Sequence, residues 1–211
     1  MARVNRKQKP EPVRGNVPRP SWIVGGLAVM GVLDAGYLSW LKQSGASAAL
    51  CTAGSGCDIV QASRYSLFLG VPTALWGLVV FAFIGGLALT GFGWRRWLAA
   101  FLLASGGVGF SVYLTALAVF GLGATCIWCL TSAAILIVLV VALWSARPTP
   151  SGRKPAVRPP KLAVYGILAA LGTAVVGAFV FAAPISAPAG YSSALARHLA
   201  DTRAVMYGAF W

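Results

Sequence analysis

Charge is what this sequence has least of. Only 10% of its 211 residues are Asp, Glu, Lys or Arg, against about a quarter in a soluble domain. With 58% hydrophobic residues and a mean hydropathy of +0.78, that shortage excludes a soluble globular protein. Acids are rarer still, four against seventeen Lys and Arg, for a net charge of +13. A basic chain invites a nucleic-acid reading, yet a membrane protein acquires the same balance from loops that obey the positive-inside rule. Histidine occurs once, as His198 near the C-terminus, and is read as a solvated or packing residue.

What the sequence does have is apolar runs of spanning length. Stretches of about 20 apolar residues predict helices at Trp22–Leu41, Pro72–Phe92, Trp97–Val119, Cys126–Ala146 and Leu162–Ala183. The first is too long for a cleavable signal and is followed by more spans, so it reads as a retained helix. Thirteen of the seventeen basic residues precede span one, separate spans two and three, or separate spans four and five. Lys42, Arg64, Arg197 and Arg203 fall on the opposite side. The bias places the N-terminus in the cytoplasm and the C-terminus outside it, and it leaves no basic stripe for nucleic acid. Trp22, Trp40, Trp94, Trp97 and Trp144 near span ends fit interfacial belts. Small residues such as Gly106, Gly107, Gly109, Gly166 and Gly177 fit close helix packing.

This topology puts all four cysteines at one membrane face. Cys51 and Cys57 lie in the loop after span one, and Cys126 and Cys129 open span four. In a bacterium that face is oxidising and permits disulfides. Cys126-Ile127-Trp128-Cys129 is a C-x-x-C at a helix start, where exposed N–H groups and the helix dipole favour a thiolate. Cys51 and Cys57 flank Thr-Ala-Gly-Ser-Gly, a flexible stretch able to close or open a small disulfide loop. Two static disulfides or a four-thiolate zinc site fit the same cysteines. A redox relay is the leading reading, because two dithiol pairs at membrane depth are what carries electrons from a soluble thiol to a lipid-phase acceptor.

Around these cysteines the sequence resembles the bacterial members of the vitamin K epoxide reductase family. The matching residues are Cys51, the run Cys57 to Tyr65, Leu67-Phe68-Leu69-Gly70-Val71-Pro72, and the C-x-x-C at Cys126. The resemblance covers Trp22 to Ala146 and implies an all-α integral membrane fold: a four-helix transmembrane bundle around a quinone, capped by the extracytoplasmic cysteine-bearing loop. It implies a thiol:quinone oxidoreductase of the bacterial inner membrane, without a metal, that uses a ubiquinone- or menaquinone-type acceptor. Cys51 would exchange with a thioredoxin-like partner, Cys57 would pass electrons to Cys126, and Cys129 would be the thiolate facing the quinone. Ser63 matches the family serine that supports the loop, and a local hydroxyl bond within a short loop helix is an equal reading. Trp128, Thr131 and Ser132 are weak candidates for quinone contact. Ala133 stands where the vertebrate enzymes carry a tyrosine, which removes a hydrogen bond to the quinone oxygen and favours plain quinone reduction over epoxide reduction.

The domain organisation expected is a basic cytoplasmic tail (1–21), the catalytic bundle (22–146), a basic Pro-rich linker (147–161), a fifth transmembrane helix (162–183) and a periplasmic segment (184–211). The last resembles the entry to a fused thioredoxin-like domain. On that reading the chain stops at Trp211, one residue short of the domain's own C-x-x-C, and Met206–Trp211 is poorly packed; a natural terminus with a short amphipathic tail is the alternative. Asp34 is the only acid inside a span. Intramembrane acids are costly and often functional, so Asp34 is expected to be paired within the bundle, kept neutral, or engaged in proton delivery.

Overall fold

The computed structural model describes residues 21–44, 56–91, 93–148, 159–182, 197–198 and 201. Cys51 and the expected Met206–Trp211 segment lie outside the described residues. The elements are α1 (Trp22–Ser44), α2 (Gly56–Ala62), a 3-10 turn (Arg64–Ser66), strands β1 (Leu67–Phe68) and β2 (Val71–Pro72), then α3 (Thr73–Leu89) and α4 (Trp94–Ala116). A π turn (Leu117–Gly121), α5 (Ile127–Ser145) and α6 (Pro159–Ala182) complete the order.

The short connections from α3 to α4 and from α4 to α5 make those neighbours antiparallel. Helices α1, α3, α4 and α5 form a ring, with α3 against α4 its loosest side, and α6 lies against α4 outside it. Four of these helices are long and apolar enough to cross a membrane. α3, with 17 residues, is about 26 Å long at 1.5 Å per residue, the lower end of spanning length. The sequence had placed its ends at Pro72 and Phe92. It is shorter because β2 uses Val71–Pro72 in a hairpin and because Gly91, at φ 80°, turns the chain out of the helix.

That hairpin is the one departure from an all-α description among the described residues. Leu67 pairs with Pro72 and Phe68 with Val71. The two residues between, Leu69 (φ 55°) and Gly70 (φ 79°), are both left-handed, as the tightest hairpin loop demands.

The bundle is solid at one end and hollow at the other. Its core gathers Val24 and Ala28 of α1, Phe81 and Ile84 of α3, Trp97 and Phe101 of α4, Leu139 and Leu143 of α5 and Leu162 of α6. Trp97, expected in an interfacial belt, is fully buried here. It stacks on Phe101 at 5.4 Å, and its indole N–H donates to the Leu143 carbonyl at 2.8 Å, tying α4 to α5. Trp22 and Trp40, by contrast, are exposed on the outside. So are Val29, Leu33, Val141, Ile167, Leu168 and Phe179, an apolar girdle that only lipid covers without cost.

In lipid the hydrophobic effect does little to join helices, so close packing and interhelical hydrogen bonds must. α4 and α6 meet in this way. Gly109 approaches the α6 backbone so closely that a Cβ would lie 2.1 Å from the Ala170 carbonyl oxygen. One turn away, the Thr173 hydroxyl donates across the interface to the Gly106 carbonyl at 2.7 Å. Gly109→Leu should therefore lower the thermal midpoint in detergent, with a loss of about 1–3 kcal/mol or more from overpacking. Gly86→Ala, where a Cβ meets nothing within 4 Å, should leave the midpoint unchanged.

Candidate active site

The hollow end of the bundle holds Cys126 and Cys129. A cavity of about 770 Å³ opens there, lined by Leu38 of α1, Trp76 and Val80 of α3, Leu103, Gly107 and Phe110 of α4, and Leu130 and Leu136 of α5. Its size and apolar walls suit a small lipophilic ligand. Polar groups are few and include Lys42, Ser66, Thr73, Ser132 and Thr173. Both Cys126 and Cys129 face it.

The sulfur geometry follows from how α5 begins. Gly123, at φ 62°, and an extended Cys126 (φ −109°, ψ 114°) bring the chain out of the π turn and into the helix. Cys126 thus occupies the N-cap, where a side chain accepts from the otherwise unpaired N–H groups of the first turn. The Cys129 N–H donates to the Cys126 sulfur at 3.3 Å. Cys129, three residues on, lies one turn along the same face. Both are free thiols, while Cys57 is disulfide-bonded. Cys126 stands one residue before the span, and the Cys129 thiol together with the first-turn N–H groups holds its thiol down to about 7. The first-turn N–H donors therefore converge on Cys126.

Above the cavity sits the cap formed by α2, the 3-10 turn and the hairpin. Gly56 is pressed against the chain just before Cys126: a Cβ on it would lie 2.2 Å from the Thr125 carbonyl oxygen and 2.7 Å from its nitrogen. Cys57 and Cys126 each adjoin one partner of this backbone contact, and each is buried, 4% and 3% exposed. Lys42, at the end of α1, holds the cap from below. Its ammonium donates to the Gln61 carbonyl and to the Ser66 hydroxyl, the latter at 2.9 Å. The hairpin is clasped from the side by Phe181 of α6, whose ring packs on Phe68 at 5.8 Å and on Tyr65 at 5.5 Å.

The remaining candidates separate. The Ser63 hydroxyl donates to the Val60 carbonyl at 2.7 Å, and the Ser63 carbonyl accepts from the Ser66 hydroxyl at 2.8 Å. It fastens the turn between α2 and the hairpin. Ser132 lines the cavity and its hydroxyl donates to Asp34. Thr131 is exposed, with its hydroxyl on the Ile127 carbonyl of its own helix. Trp128 packs on Tyr37, ring centres 5.0 Å apart, and is not among the residues lining the cavity. Two groups escaped the sequence reading. Lys42 carried a signal, being one of four basic residues on the cysteine side. Thr173 and Val176 of α6 also line the cavity, and nothing in the pattern of an apolar span marks residues that face a cavity rather than lipid.

Two outcomes test this geometry. Gly56→Ala should lift α2 off Thr125 and slow thiol–disulfide exchange between the loop and the α5 pair by tenfold or more, roughly the effect of losing 1.4 kcal/mol of alignment, read by quenched alkylation and mass spectrometry. In reduced wild-type protein, alkylation of Cys126 by iodoacetamide should speed up as pH rises through about 7 and level off above it, because the thiolate is the reacting form. A midpoint at the ordinary thiol value would contradict the N-cap assignment.

The family model of the vitamin K epoxide reductase family matches residues 22–144, the stretch that carries the ring α1, α3, α4 and α5, the cap and the C-x-x-C. Members of that family are quinone-linked thiol oxidoreductases of membranes. With a match over more than half its length, this multi-pass membrane protein belongs to the vitamin K epoxide reductase family.

Proposed function

We propose that the protein relays electrons from a thioredoxin-like dithiol, through a Cys51–Cys57 pair and then Cys126–Cys129, to a membrane quinone. The reading places the cysteines on the extracytoplasmic side of a bacterial inner membrane, where the relay sustains disulfide formation in secreted proteins. The observation that supports it is the backbone contact of Gly56, the residue before Cys57, with Thr125, the residue before Cys126, at the mouth of a cavity that both α5 cysteines face.

The chemistry follows from burial. Cys57 and Cys126 are both buried, and on this reading Cys51 is the residue that exchanges with the soluble partner. The partner's dithiol reduces the loop disulfide and becomes a disulfide itself. Cys57, as a thiolate, attacks Cys126 of an oxidised Cys126–Cys129 pair; the Cys126–Cys129 bond breaks and Cys129 leaves and takes a proton. Cys51 then attacks Cys57 and releases Cys126, so the loop is oxidised and the α5 pair reduced. A disulfide-bonded Cys57 beside free Cys126 and Cys129 is the state these steps produce. The α5 pair next gives two electrons to the quinone, which takes up two protons to become the quinol, and the Cys126–Cys129 bond forms again. The apolar cavity seats the quinone, and Lys42 fixes the cap that covers it.

Purified protein should reduce a short-chain ubiquinone or menadione with dithiothreitol as donor, and Cys129→Ser should bring quinol formation down to the uncatalysed rate. Cys57→Ser should retain turnover with dithiothreitol yet lose it with a reduced thioredoxin-like domain. Stoichiometric zinc without quinol formation, or equal unfolding of Cys51→Ser and Cys129→Ser, would instead establish a metal or purely structural role.

A further inference from the structure

Asp34 is a buried acid that the relay leaves without a task. It lies mid-way along α1, 6% exposed. One carboxyl oxygen accepts from the Ser132 hydroxyl, and the other is buried with no hydrogen-bond partner among the described residues. Ser132 has an ordinary alternative open to it. Thr131, its neighbour, returns its hydroxyl to the carbonyl four residues back on its own helix, whereas Ser132 reaches from α5 to α1. A hydroxyl both donates and accepts, and this one lines the cavity three residues beyond Cys129, on the same face of α5. The acid, the hydroxyl and the cavity thus form a continuous line beside the cysteine pair. An acid whose role was only to join two helices would be expected to have both oxygens satisfied.

We propose that Asp34, acting through Ser132, supplies one of the two protons that the quinone takes up. The inference rests on the quinone-reducing function proposed above. When the pair reacts as a Cys126 thiolate and a Cys129 thiol, its oxidation yields two electrons and one proton. The second proton leaves the Asp34 carboxyl for the Ser132 oxygen as the Ser132 proton passes to the quinone oxygen. Asp34 is then a carboxylate. It regains its proton at the next exchange, when two loop thiols become a disulfide, restore the Cys126 thiolate and the Cys129 thiol, and release one proton. Asp34 touches neither sulfur nor quinone in this scheme; it is a positioning and proton-supplying residue behind Ser132.

The test is quinol formation from menadione by the full chain in detergent, with dithiothreitol as donor. Asp34→Asn should lower kcat about 100-fold, the lower end of what a positioned proton donor contributes, with KM within about twofold. Ser132→Ala should fall similarly, and Ser132→Thr, which keeps a hydroxyl, should recover most of the rate. Formic acid or hydrazoic acid added as an external proton donor should raise the Asp34→Asn rate in proportion to its concentration and leave the wild type unchanged, an effect that a merely structural role would not produce. Wild-type kcat in Asp34→Asn overturns the proposal. So does a loss that no weak acid relieves while Ser132→Thr is as slow as Ser132→Ala. If Asp34→Asn does not fold, the Ser132→Ala and Ser132→Thr pair decides: rate recovery by the threonine upholds the path, and equal rates reject it. Absence of cysteine-dependent quinol formation by the wild type would sink the parent function; an active wild type with unaffected variants sinks this inference alone.

Discussion

The contact between the Gly56 backbone and the Thr125 backbone is the constraint on which the upper half of the molecule is arranged. No side chain stands between the two chains, so α2 sits directly on the strand-like entry to α5. Everything around the cap serves to keep it there. Lys42 holds α2 and the 3-10 turn from the end of α1, Ser63 and Ser66 lock that turn internally, and Phe181 bears on the hairpin from α6. A glycine at this place is a requirement of shape, because even the smallest side chain would lift α2 off the chain that leads into Cys126.

The α5 pair depends on a second local rule. Cys126 is extended and caps its helix, and Cys129 falls one turn inside it, so two sulfurs of one motif occupy different electrostatic positions. The cap sulfur collects N–H donors that the backbone leaves free. The inner sulfur is set deeper along the same cavity wall. The π turn before Gly123 contributes to this placement: the Leu122 N–H reaches back five residues to the Leu117 carbonyl at 3.2 Å, and such bulges recur at functional sites because they re-aim the chain that follows.

Much of this was legible in the residues. Hydropathy alone located the five apolar helices. The C-x-x-C marked a helix start; that its first sulfur caps the helix came from the structure. The limits of the reading have physical reasons. An apolar run does not show which of its faces meets lipid, so the share of α6 in the cavity, through Thr173 and Val176, was invisible. Trp97 was assigned to an interface because tryptophan near a span end belongs there on average; what buries it is a ring stack with Phe101 and one hydrogen bond to Leu143, both tertiary. The hairpin at Leu67–Pro72 was absorbed into loop and helix, since strands of two residues carry no periodicity. Asp34 stood out at once as an intramembrane acid, but its partner, 98 residues away along the chain, could be found only in three dimensions.

The division of the bundle into a solid and a hollow end has an evolutionary consequence. Packing residues such as Trp97, Ile84 and Leu143 lie at one end, and Cys126, Cys129, Lys42 and much of the cavity wall lie toward the other. Many substitutions that reshape the cavity or the cap therefore fall outside the set that keeps the helices together. Selection can vary the cavity lining and the cap while the solid end conserves the capacity to assemble, and residues such as Phe81 and Leu136, which belong to both core and cavity, answer to both demands.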